Sequence, residues 1–138
     1  VAVLKLIKTA SGYNINVPND HFYSVFNTEV MNKQKDGDYP KMFIVTDEGR
    51  SSQEVSGRQE LILNFLVIGV VKKISANDDP QALIEKLIED IEKAIRLNDT
   101  LMGSVQNAEV TGFTTDSGAS YPEGIAVLRV ETVRYWYE

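Results

Sequence analysis

The longest apolar run, "LILNFLVIGVVKKI" at residues 61–74, is read as a strand. Alternation puts Leu61, Leu63, Phe65, Val67 and Val71 on one pleat face and Ile62, Leu66, Ile68 and Val70 on the other. A sheet with one face in water alternates apolar with polar, so this strand is expected to be covered on both sides. It exceeds the usual strand length, which predicts a bend or bulge at Gly69.

The period changes after residue 78. Ile84, Leu87, Ile88, Ile91 and Ile95 recur every three or four residues and form the apolar stripe of a helix. Asp79 is suited to the N-cap, and Pro80 to the first turn, where no N–H is needed. Glu89 with Lys93 and Glu92 with Arg96 are spaced to pair along a solvated side. The helix runs out in Asn98-Asp99-Thr100-Leu101, before Gly103.

Residues 1–10 fit either period: Val3, Leu6, Ile7 and Ala10 share a helical face, while Val1 with Val3 and Leu4 with Leu6 alternate. Ser11-Gly12 ends this element by either reading. Short extended pieces are expected at 13–17 and 22–26, followed by a polar stretch at 27–39. "KMFIV" after Pro40 reads as a compact strand. Residues 47–60, "DEGRSSQEVSGRQE", read as a polar loop that orders on docking, with Arg50 and Arg58 as its basic residues. Strands at 104–114 and 125–137 form an antiparallel hairpin, joined by a turn-rich loop expected to be mobile. The predicted fold class is α+β: one domain over residues 1–138, a mainly antiparallel sheet of about four to five strands with two helices packed on it.

Composition narrows the chemistry. With no cysteine, disulfides, thiolate metal sites and cysteine nucleophiles are excluded, and a reducing cytoplasm is a natural setting. The net charge of −6 argues against free nucleic acid as a bound partner. The opening apolar run is broken by Lys5 and Lys8 and is not a signal-peptide pattern, and no apolar run is long enough to span a bilayer, so no membrane association is expected. The single histidine, His21, has no Gly-x-Ser-x-Gly serine to work with and reads as a surface or capping residue. Asp47-Glu48 and Asp78-Asp79 could in principle hold a metal, but a polar loop and a helix cap account for them. Asp36-Gly37-Asp38 lacks the further ligands of a calcium loop, and no phosphate-binding glycine loop is present. The cluster Tyr135-Trp136-Tyr137 suits strand-end packing or an interface better than base stacking, because no basic groove surrounds it.

In order along the chain, "LIKTASGYNINV", "YPKMFIV", "ELILNFLVIGVVKK", "DPQALIEKLIEDIEKAIRLNDTLMGSV" and "VLRVETVRYWYE" resemble the tail terminator, or tail completion, proteins of long-tailed bacteriophages and prophages. The most specific piece is the helix running into Asp99-Thr100-Leu101-x-Gly103. The resemblance implies a virion protein with no enzymatic activity and no cofactor, assembled in the host cytoplasm into a homo-oligomeric ring, commonly a hexamer. Such a ring caps the tail tube protein, ends polymerisation and offers a surface to the head–tail connector, while genomic DNA passes through its bore unbound. It also implies that Asp99 caps the turn after the helix and that Leu101 tucks beneath the sheet.

The second apolar face of the 61–74 strand needs cover from another helix or a neighbouring subunit, which makes Leu66 and Ile68 interface candidates. Arg50, Arg58, Tyr135 and Tyr137 complete the set. The alternatives are a head-closure or neck protein, a non-viral ligand-binding α+β module with a defined pocket, and a metal-dependent hydrolase using Asp47, Glu48 or Asp99.

Overall fold

The structure, a computed structural model, describes residues 2–23, 39–53, 58–73, 76, 78–102, 105, 107–118 and 121–137. The expected extended piece at 24–26, the polar stretch through Asp38 and the turn residue Gly103 lie outside the described residues. Among the described residues five strands, β1 (Phe22–Tyr23), β2 (Lys41–Gln53), β3 (Arg58–Lys72), β4 (Asn107–Thr115) and β5 (Glu123–Tyr137), form one sheet in the order β1-β2-β3-β5-β4. One α-helix, α1 (Pro80–Leu97), packs on it.

The fold class departs from the expected one in two ways. The sheet is mixed, because β1 runs parallel to β2 while every other pairing is antiparallel. There is also one α-helix among the described residues rather than two. Residues 2–11 hold two single 3-10 turns, Leu4–Leu6 and Thr9–Ser11, in place of a helix or strand. Between them Lys8 is extended (φ −141°, ψ 142°), and Gly12 closes the second turn at φ 90°. Instead of a helical ladder, this segment bonds to itself and to its neighbours: the Val17 amide donates to the Ile7 carbonyl, and the Lys8 ammonium donates to the Val17 carbonyl.

Val3, Leu4, Ile7 and Val17 are nonetheless buried, so the irregular segment covers part of the sheet that a second helix was expected to cover. It is clamped to α1 by Asp90, whose two carboxylate oxygens accept the backbone amides of Asn14 and Ile15, each at 2.9 Å. Lys93 donates to the Gly12 carbonyl, and the Asn14 amide side chain donates to Glu89. Glu89 and Lys93 thus serve this clamp, while Glu92 and Arg96 form the expected ion pair at 3.1 Å.

Helix α1 follows its sequence signals. The Asp79 side chain accepts the Gln81 amide and Pro80 opens the first turn. Ile84, Leu87, Ile91, Ala94 and Ile95 are buried against Val67 and Val71 of β3, Ala126, Leu128 and Val130 of β5, and Ala108 of β4. At the other end, the Asn98 side chain donates to the Ala94 carbonyl and its own carbonyl accepts the Leu101 amide. Asn98 therefore holds the turn assigned to Asp99, which is exposed. Leu101 packs against the core, as the resemblance implied.

The sequence reading placed a bend at Gly69, yet β3 pairs without interruption from Arg58 to Lys72 along β5. The irregularities fall in its neighbours, between Thr46 and Gly49 of β2 and between Val110 and Gly112 of β4. The loop expected at 47–60 is mostly strand: Gly49 to Gln53 pair with Leu63 to Gln59, and only 54–57 separate the two strands. Polar side chains hid these strands in the sequence, which shows no apolar alternation there; the backbone ladder to β3 identifies them.

Candidate interaction surface

Opposite α1, alternate residues of the sheet form a second apolar band. Phe43, Ile68 and Val70 are buried there, with Tyr23, Tyr39, Ile125 and Val127 packed on them. The Tyr23 and Phe43 rings stack at 5.2 Å. At one end the Tyr39 hydroxyl donates to Glu123 at 2.7 Å, and the Lys41 ammonium sits 4.2 Å from the Tyr39 ring centre.

Further along the same face, Leu66 and Val127 meet Arg129 and the Thr111–Thr114 segment of β4 around an open groove of about 320 Å³. Leu66 lies opposite Arg129 on one side and Val45 on the other. Arg129 reaches across β3 to Asp47, in the β2 irregularity, at 3.7 Å. Both side chains are partly exposed, so this pair contributes less than about 1 kcal/mol. Beside it Asn64, opposite Glu131, buries its Oδ1 without a hydrogen-bond partner among the described residues, a local cost of about 1–3 kcal/mol.

The expected interface residues separate into groups. Leu66 lines the groove, but Ile68 is only 6% exposed and belongs to the inner cluster. Arg50 pairs with Ile62 and Arg58 with Tyr137, on ordered strands instead of a docking loop. For Arg50, Arg58 and Tyr137 only the backbone register is described. Ile62 is four residues from Leu66, about 13 Å along the strand, which places the Arg50 backbone that far along the sheet from the groove. Tyr135, half-buried, lies opposite Glu60 nearer the hairpin turn.

His21 is buried instead of lying on the surface. Its Nδ1 is 3.0 Å from the Pro40 carbonyl, its Nε2 is 3.8 Å from the Asp20 carboxylate, and its own carbonyl accepts the Met42 amide. It fastens β1 to β2. Among the described residues no group of three or more His, Asp or Glu side chains is placed to hold a metal ion, and no helix is long and apolar enough to cross a membrane. Sequence reasoning missed Asp90; its signal is an acidic residue three positions after Leu87 and four before Ala94, on the buried side of α1.

No protein-family model matches the chain, and no curated protein sequence matches it.

Proposed function

We propose that the chain is a structural assembly protein, a tail-terminator-like subunit that forms a ring on a phage tail tube. The ring ends tube growth and presents its outer surface to a head-side connector. One observation carries the reading: the sheet has two open edges that run in opposite directions. On one side β1 covers only Met42 and Phe43 of β2, so among the described residues Ile44 to Gln53 have a strand neighbour on one side alone. On the other side, among the described residues, β4 pairs only with β5. The alternation of pairings makes β4 antiparallel to β2. A second copy placed head to tail therefore meets β4 with its own β2 in antiparallel register, and such a heterologous contact closes into a ring when the rotation permits.

The groove at Leu66 and Arg129 adjoins β4 and lies beside that contact. The net charge of −6 suits a bore through which DNA slides without binding. The experiment is to add the purified protein to self-polymerising tail-tube subunits and read tube length by electron microscopy. Length-limited tubes with a ring of this protein at one end are expected. Tubes that grow unchanged, with no ring at either end, reject the reading.

A further inference from the structure

Between the helix-covered face of the sheet, the end of α1 and the first 3-10 turn lies a separate cavity of about 210 Å³. Val3 and Leu4 form one wall, Ile44, Phe65 and Val67 the sheet wall, and Ile95 the helix wall. Among the described residues no charged side chain lines it, and the one side-chain hydroxyl, on Thr132, donates to the Leu63 carbonyl at 3.1 Å. The space opens to solvent on one side, and its mainly apolar walls offer water few of the two to four polar partners that hold it. An empty cavity leaves its lining atoms without dispersion contacts on one side. A dry apolar cavity of about 150 Å³ is already enough to take benzene.

A second observation lies in the backbone. Leu101 and Met102 are consecutive non-glycine residues at φ 47° and φ 61°, a conformation that side chains with a Cβ rarely adopt. Leu101 forms part of the cavity lining, and Met102 is 59% exposed. The Leu101 amide is held by Asn98, and the Thr100 carbonyl accepts the Val105 amide, so the turn is fixed from both sides. Strain kept in place by its surroundings is a feature of ligand clamps.

We propose that this cavity binds a small, uncharged, apolar molecule, with Leu101 held in place as part of its wall. Its size is roughly six to nine non-hydrogen atoms, scaled from benzene, and the described lining residues give no counter-ion for a carboxylate or an amine. This binding stands on the cavity alone and does not depend on ring formation.

Toluene, indole and benzoate are titrated into methyl-labelled protein and followed by NMR. Saturable shifts with toluene and indole are expected at the methyl groups of Val3, Leu4, Val67, Ile95 and Leu101, with Ile68 and Val70 unmoved. Benzoate at the same concentrations should leave all of them in place. Ile44→Phe, which fills the space from a half-buried position, should weaken toluene binding at least tenfold. Shifts that do not saturate, that fall equally on both sheet faces, or that persist unchanged in folded Ile44→Phe protein overturn the proposal.

Discussion

A Cβ atom at residue 69 would lie 2.7 Å from Cδ2 of Leu87 and 3.9 Å from Cδ1 of Ile91. Gly69 is thus where α1 comes down onto the middle of β3, and its missing side chain sets the height of the helix above the sheet. Leu87 is fully buried and has nowhere to retreat. Gly69→Ala should destabilise the fold by about 1–3 kcal/mol through overpacking, measured by urea denaturation. Combining it with Leu87→Ala should cost less than the two single changes added together, because the clash is removed. A neutral Gly69→Ala would mean that the helix seats differently.

The Asp90 clamp gives a second test. Asp90→Ala strips the Asn14 and Ile15 amides of their acceptor and should cost about 2–4 kcal/mol, as expected for two hydrogen bonds to a carboxylate. Amide exchange at residues 14 and 15 should accelerate selectively. Asp90→Asn, which keeps one good acceptor oxygen, should fall between the variant and the parent. Unchanged exchange at both amides in Asp90→Ala would contradict the clamp.

Asn64 offers the opposite outcome. Its buried Oδ1 has no donor among the described residues, so Asn64→Val should raise stability by about 1 kcal/mol by removing an unsatisfied group from a strand position. Thermal melts of the two proteins decide it; a lower midpoint for the variant would point to a partner for that oxygen.

For the outer face, Leu66→Glu should abolish ring formation on tail tubes while leaving the circular dichroism of the subunit unchanged. Arg129→Ala should lower subunit stability by less than about 1 kcal/mol, since the Asp47 pair is partly exposed. His21→Ala should lower stability by releasing β1 from β2, without altering ring formation when folded protein is compared. A Leu66→Glu subunit that still caps tubes would remove the groove from the contact.

Local signals made α1 legible: the stripe from Ile84 to Ile95 and the Asp79-Pro80 start were sufficient. The two-sided character of β3 was legible too, since Val67 and Val71 enter one cluster and Ile68 and Val70 the other. What stayed hidden depends on distant partners. Gly49 to Gln53 carry no apolar pattern and become strand only by pairing with β3. Asp90 looks solvated until residues 14 and 15, 76 and 75 positions away, are folded onto it. The segment from Leu4 to Ser11 satisfied two periods at once and adopted neither, because its amides and carbonyls find partners in nearby turns.

The strands outrun the core. The helix-side cluster takes its β3 residues from Val67 and Val71 and its β5 residues from Ala126, Leu128 and Val130, whereas β3 begins at Arg58 and β5 ends at Tyr137. Seven residues of β3, from Arg58 to Asn64, extend past Phe65 at the cavity wall, about 20 Å of strand. With β2 and β5 alongside, they make a cantilever anchored at the helix-covered end. Mechanically, load applied at the hairpin tip is borne by the ladders of β3 before it reaches the part of the strand under α1, from Val67 to Val71. Amide exchange should therefore slow in steps along β3 from Leu61 toward Val71, a gradient that maps where the anchored base gives way to the arm.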